Sequence, residues 1–406
     1  MREIQSAMSE PKSQKTLPND IDYSVLVPLL CHSFIVQCLV ALVRLTVSYR
    51  IIEQDLPVFW LGLISGAFAL LPVFLAVQVG RFIDRGNDAR ATWIGSTLVA
   101  GPALALYFAP GTPYHLAAYA LFIGVGHLFL MASHQMLCVR AGGERGRDAA
   151  FANFTVAQAL GQGLGPLLLG WIGGSARLPP TELLFGICAV GALVSVAISF
   201  TLRPLSRGAA SAKDQKAVPI LDLLKTPGLP PVLFASIMTI TAADLLTIYL
   251  PLMGTERHMD VAHIGIILTV RSVCSIGARI FFAQLVRMIG RKRLLVVCMA
   301  VGGLGFLLIG LPLPMWGLYL AGGILGLGLG IASSLTITAI VEVVPVQARG
   351  TAMTLRITGN RIGQVALPFL ASFIAAAAGA AGVLGIIAIN LWAAGIAVQR
   401  NRRTTS

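Results

Sequence analysis

The chain repeats itself. The stretch 147–174, RDAAFANFTVAQALGQGLGPLLLGWIGG, returns 202 residues later as RGTAMTLRITGNRIGQVALPFLASFIAA, starting at Arg349. In that register Arg147 falls on Arg349, Ala150 on Ala352, Gly161 on Gly363, Gln162 on Gln364 and Pro166 on Pro368. The offset is close to half of the 406-residue chain, so the repeated unit is half the protein. A unit written twice folds as two similar bodies that bury surface against each other.

Those bodies are built for a bilayer. Apolar residues make up 56% of the sequence and charged residues 12%, with a mean hydropathy of +0.82, whereas soluble domains carry about 25% charge. Windows of about 20 apolar residues are long enough to cross the hydrocarbon core as helices. They fall at about 25–49, 57–80, 92–109, 114–139, 150–174 and 181–202, then at about 231–253, 262–285, 294–311, 314–341, 350–376 and 379–398. The expected fold is an all-α membrane protein of twelve transmembrane helices in two six-helix, pseudo-symmetric bundles. Residues 25–202 form the first bundle and 231–398 the second; 1–24, 203–230 and 399–406 are a tail, a central loop and a second tail. A duplicated apolar chain of this kind is an architecture of secondary transporters, whose sites lie between the repeats.

The net charge of +13 could suggest nucleic acid, but the placement of the cations excludes it. The two tails, the central loop and the loops 81–91, 140–149, 286–293 and 343–349 hold 22 Lys and Arg. The opposite loops hold three: Arg50, Arg177 and Arg257. This asymmetry puts both termini in the cytoplasm of a multi-pass inner-membrane protein. The first 24 residues are polar and mixed in charge, unlike a cleavable signal peptide, so the first span is the expected targeting element. All six cysteines lie in expected spans without CxxC spacing and read as packing residues.

The remaining five cations, Arg44, Arg271, Arg279, Arg356 and Arg361, sit inside spans. An ionisable group there costs at least about 2.5–3.5 kcal/mol unless it is paired or hydrated. Arg44 and Tyr49 in the first span stand 200 residues before Asp244 and Tyr249 in the seventh. Opposite charges at related positions are either an ion pair fixing the halves or groups lining a hydrated path. His127 and His134 lie in span four and are either hydrogen-bonded core residues or proton carriers. Span eleven repeats Arg356, Asn360, Gly363 and Gln364 on one helical face, with Arg361 off to its side. The matching face of span five holds Thr155, Gln158 and Gln162, which could equally glue helices together. The expected substrate and proton pathway is therefore Arg44, Tyr49, His127, Gln158, Gln162, Asp244, Tyr249, Arg271, Arg356, Asn360, Arg361 and Gln364. Arg140 and Glu342, 202 residues apart, form another charge-reversed pair.

Two motifs carry a resemblance. The loop after span two, GRFIDRGNDAR from Gly80, resembles the cytoplasmic signature G-x-L-x-D-R-x-G-R-R of the major facilitator superfamily, matching at Gly80, Asp84 and Arg85. Phe82 replaces the leucine and Gly86 stands one place early. The duplicated loop, AQLVRMIGRKR from Ala283, has Arg287 where the acid belongs. In span five, Gly161, Gly165 and Pro166, followed by Gly170 and Gly174, resemble the G-x-x-x-G-P-x-x-G-G signature of that superfamily's antiporters. Glycines four apart admit close helix contact, and a proline bends the helix. Gly161, Gly165, Pro166, Gly363 and Pro368 are thus the expected bends. A carboxylate at a helix end accepts backbone N–H groups and pairs with Arg. Gly80, Asp84, Arg85, Arg147 and Arg349 are thus an expected conformational latch.

The resemblance implies two bundles around a central cavity working by alternating access, with a small-molecule substrate and protons as the coupling ion. The antiporter motif implies proton-coupled export of a drug or metabolite, and the excess of arginine implies an anionic or amphipathic one, with Asp244 carrying the proton. Drug antiporters of the superfamily often carry an acid in the first span, where this chain has Arg44. Import of an organic anion on the same residues, and a membrane sensor without flux, are the alternatives. The chain reads as a monomer and not as an enzyme, and no metal, nucleophile or cofactor pattern occurs. GQGLG and GLGLG lie at bilayer depth and open no helix after a strand, so they do not read as phosphate loops. Scattered rather than ringed charges argue against a channel.

Overall fold

The computed structural model describes residues 21–109, 111–143, 146–202, 223–345 and 348–400. The first tail up to residue 20, the central loop over 203–222 and the second tail from 401 lie outside the described residues.

The first half forms six helices: α1 (Tyr23–Glu53), α2 (Phe59–Phe82), α3 (Asp88–Phe108), α4 (Pro113–Ala141), α5 (Arg147–Gly173) and α6 (Thr181–Ser199). Local signals set their starts. Asp22 accepts the Ser24 N–H at 3.0 Å and caps α1. Thr112 and His115 form a capping box, with Pro113 opening α4. The motif loop is a single π-helical turn, Ile83–Asn87, in which Gly86 takes φ 86° and swings the chain into α3.

The second half forms α7 (Leu229–Glu256), α8 (Val261–Ile280), the short α9 (Phe282–Ile289), α10 (Arg291–Gly310), α11 (Met315–Val343) and α12 (Arg349–Arg400). Two boundaries differ from expectation. Span eight ends at Ile280, and the residues after it turn into the separate helix α9, which rests Phe282, Leu285, Val286 and Ile289 partly buried on the core. Spans eleven and twelve are joined in α12, which is kinked at Gly379. There φ is 65°, and the Glu256 carboxylate accepts the Ala380 N–H at 3.1 Å, capping the second piece. Counting α12 as two pieces, the described residues hold six long helices on each side of the central loop. Among them, nine segments are apolar and long enough to cross a membrane, two of which (59–108 and 349–400) each hold two helices. Large apolar side chains such as Phe108, Trp171, Ile280 and Trp316 face outward, as a lipid-facing surface requires.

The halves meet chiefly through α2 with α12 and α5 with α8. Close approach here rests on glycine. A Cβ on Gly265 of α8 would strike Gly170 and the Pro166 carbonyl of α5, and one on Gly62 of α2 would strike the Pro368 carbonyl of α12. Beside this seam the chain between α5 and α6 is stitched to the start of α8. Val261 N–H donates to the Ala176 carbonyl at 2.9 Å and Ala262 N–H to Gly174 at 3.0 Å. Arg177 Nη1 lies 3.4 Å from His258 Nδ1. One end of the molecule is therefore sealed across the two halves.

Candidate functional site

Between the halves lies a cavity of about 350 Å³ that extends along α8 from Leu268 to the exposed Arg279, away from the sealed end. Helical periodicity builds its walls. Gln37, Val40, Ala41 and Arg44 form one stripe of α1; Leu268, Arg271, Ser272, Ser275 and Arg279 form one stripe of α8. Asp244 comes from α7, His127 from α4, Gln162 from α5, and Arg361 with Gln364 from α12.

Asp244 is gripped at both oxygens. Arg44 Nη1 donates to Oδ1 at 2.6 Å and Gln364 Nε2 to Oδ2 at 2.6 Å. Arg361 Nη1 donates to Gln364 Oε1 at 3.2 Å, extending the chain of contacts along the wall. The Arg44 guanidinium also lies over the Phe68 ring, 5.1 Å from its centre. Neither His127 ring nitrogen has a partner among the described residues, and the ring packs 5.6 Å from that of Phe68. The buried Arg271 Nε is likewise unpartnered, and Arg279 Nε reaches only the Gly330 carbonyl, at 3.3 Å. Four guanidinium groups and one carboxylate thus line the cavity among the described residues.

Several expected pathway residues lie elsewhere. Tyr49 and Tyr249 are fully buried in the core, and Tyr249 donates its hydroxyl to the Pro368 carbonyl at 3.2 Å. Each stands five residues after its charged neighbour, about 140° around the helix and so on another face. Gln158 is turned to the Met131 sulfur at 3.3 Å, away from the cavity lining. On α12 the expected phase was off. Arg356 and Asn360 are buried, Asn360 accepting from Ser236 Oγ of α7 at 3.1 Å. Gly363 meets Ile237 of α7, so this face serves packing, while Arg361 and Gln364, further around the helix, face the cavity. His134 belongs to a buried network, with Nε2 2.9 Å from His32 Nδ1, whose Nε2 lies 3.0 Å from Ser96 Oγ.

The bend residues act as contacts. Gly161 and Gly165 let α5 approach α1 at Phe34, Cys38 and Ala41, while Pro166 and Pro368 present carbonyls at the seam between the halves. In the motif loop Asp84 is exposed, as are Arg147 and Arg349, and Arg349 Nε donates to the Val341 carbonyl of its own half at 3.1 Å. A Cβ on Gly80 would meet open space. The buried acid of this loop is Asp88, which sequence reasoning missed. Its Oδ2 pairs with Arg140 Nη1 at 2.5 Å, and its Oδ1 accepts the Ala89 N–H at 2.9 Å. The second half mirrors the pair with its charges exchanged, Arg291 against Glu342. The Arg140–Glu342 reversal and the repeat register together were the signal that could have found it.

A duplicated helical bundle enclosing a polar cavity at the interface of its halves is the architecture of a membrane transporter. The Major Facilitator Superfamily model matches residues 29–260 and 232–405, and the chain belongs to that superfamily. No curated protein sequence matches it significantly. Among solved structures, a mutant form of the nucleoside transporter NupG superposes with a TM-score of 0.80 at 13% identity, over 93% of this chain and 100% of that one. A mutant of the peptide transporter POT gives 0.71 at 18% identity, over 94% and 95%. A bacterial homolog of the human lysosomal transporter Spinster, in an inward-facing and occupied conformation, gives 0.73 at 14%, over 94% and 96%.

Proposed function

We propose that this protein is a proton-coupled transporter of a small organic anion, working by alternating access, in which the anion and the proton move together. The observation that carries the reading is the double grip on Asp244 by Arg44 and Gln364 inside a cavity whose other charged lining groups, among the described residues, are all arginines. An incoming anion competes with Asp244 for Arg44. Once Arg44 turns to the anion, Asp244 is a carboxylate left with Gln364 and no paired cation, and binding a proton removes that charge. Anion and proton therefore help one another to bind, which is the linkage a symporter needs. With an inward proton gradient this favours uptake.

The sequence asymmetry of Lys and Arg supports the cytoplasmic placement of both termini and of the motif loops. On that orientation the sealed end faces outward and the cavity opens to the cytoplasm. The loop with Gly80, Asp84 and Arg85, together with Arg147 and Arg349, then lies at the open end, where the two halves would come together in the outward-open state. Exposure of Asp84 fits a latch that is unmade in this state. Residues 25–202 and 231–398 would rock as the two bodies, about a cavity that one chain completes.

Export by antiport is the second reading, supported by the Gly161, Gly165 and Pro166 motif of α5. Antiport requires substrate and proton to exclude each other at the carrier. A cation competing for Asp244 would do this; an anion held by Arg44 does the reverse. Uptake of labelled organic anions into proteoliposomes, driven by an imposed proton gradient, separates the readings. Symport predicts accumulation on the alkaline side; antiport predicts accumulation on the acidic side. Saturable binding without any flux would instead indicate a sensor.

A further inference from the structure

We propose that the substrate carries two separate anionic groups, one taken by Arg44 beside Asp244 and the other by Arg271, so that a single molecule bridges the two halves. The inference rests on the anion reading above and narrows it to dicarboxylate-like dianions.

The cavity's charge inventory carries it. Arg44 is the one guanidinium paired to a carboxylate, which leaves Arg271, Arg279 and Arg361 without an acidic partner among the described residues. Arginine stays charged in any protein environment, and a buried unpaired charge is costly. Arg361 is engaged by Gln364 and Arg279 by the Gly330 carbonyl. Arg271 stands apart from these two, because its buried Nε has no acceptor among the described residues. Its backbone packs closely against α11, since a Cβ on Gly326 would strike the Arg271 carbonyl. Arg271 thus lines the cavity from a closely packed helix, and its Nε has no acceptor among the described residues.

The placement of the two anchors supplies the second half of the argument. Arg44 belongs to α1 of the first half and Arg271 to α8 of the second, and both line the same cavity. A monoanion bound at Arg44 would leave Arg271 uncompensated. One bound at Arg271 would leave the Arg44–Asp244 pair intact and recruit no proton. A ligand with two anionic ends satisfies Arg271 and draws Arg44 from Asp244 in one binding event. Charge-assisted contacts of this kind are the strong ones.

The test is binding to the full-length purified protein by thermal-shift titration and calorimetry, with pairs matched in skeleton: succinate against butyrate, and benzene-1,3-dicarboxylate against benzoate. Phenyl phosphate, whose two charges sit on one group, serves as a third arm. The dicarboxylates should bind at least about tenfold more tightly than their monoanionic partners, a difference of about 1.4 kcal/mol. Arg271→Gln should close the gap within each pair by lowering dicarboxylate affinity more than monoanion affinity, and Arg271→Lys should restore part of the preference. Equal affinity of the members of each pair, or a preference that survives Arg271→Gln, would overturn the two-ended substrate and leave the anion reading intact. Tighter binding of phenyl phosphate than of either dicarboxylate would overturn it too. Failure of every anion to bind would remove both.

Discussion

Arg44 and Asp244, 200 residues apart in the chain, meet at 2.6 Å across the interface of the two halves. Each is held by a helix of a different bundle, and each side chain remains partly open to the cavity, 20% and 17% exposed. A pair buried between immobile walls would be a rivet. A pair at a cavity wall can be taken apart by whatever enters.

Breaking the pair from either side should have different consequences. Asp244→Asn mimics the protonated acid and keeps the hydrogen bond to Gln364, so it should exchange anions across a membrane without moving protons. Arg44→Ala should weaken anion binding and remove its link to proton uptake. Exchange of labelled anion and dye-reported proton flux, measured on the same proteoliposomes, distinguish the two.

Asp88 and Arg291 occupy related places in the two halves but should differ in weight. Asp88 is fully buried against Arg140, so Asp88→Ala leaves a largely buried cation unpaired and should destabilise the protein by about 1–3 kcal/mol. Arg291 and Glu342 are each about half exposed, so Glu342→Ala should cost about 0–1 kcal/mol. Thermal unfolding in detergent should show a clear drop in Tm for the first variant and little change for the second.

The sealed end should open when its glycine seam is filled. Gly265→Val places side-chain atoms against Gly170 and the Pro166 carbonyl, which disfavours closure there. Cysteines placed on the outer part of the cavity wall should then react faster with a membrane-impermeant thiol reagent added outside.

Tying that end shut should do the opposite. The Val261 N–H bonds the Ala176 carbonyl across the halves at 2.9 Å, so cysteines at Ala176 and Val261 should crosslink under oxidation. Transport should stop on oxidation and recover on reduction, as measured by uptake before and after dithiothreitol.

Much of this was legible in the sequence because duplication turns one reading into two. The 200-residue relation of Arg44 to Asp244 anticipated a contact that no local pattern could show. Phase around a helix was less legible. Arg356, Asn360 and Arg361 all sit on α12 within two turns; Asn360 is turned to Ser236 of α7 and Gly363 to Ile237, while Arg361 faces the cavity, and spacing alone does not separate them. Tyr49 and Tyr249 were misplaced for a related reason, since repeat symmetry relates positions but does not say which face they share. Asp88 was hidden because the loop motif drew attention to Asp84, and because the left-handed turn at Gly86 that carries the chain into α3 is a backbone event.

The central claim is that anion binding recruits a proton to Asp244, and the most direct test is proton uptake on binding. Purified protein in weakly buffered solution at near-neutral pH is titrated with a binding dicarboxylate while pH is recorded. The account predicts alkalinisation corresponding to about one proton taken up per anion bound, and none in Asp244→Asn. Proton release on binding, or uptake that persists in Asp244→Asn, would contradict it.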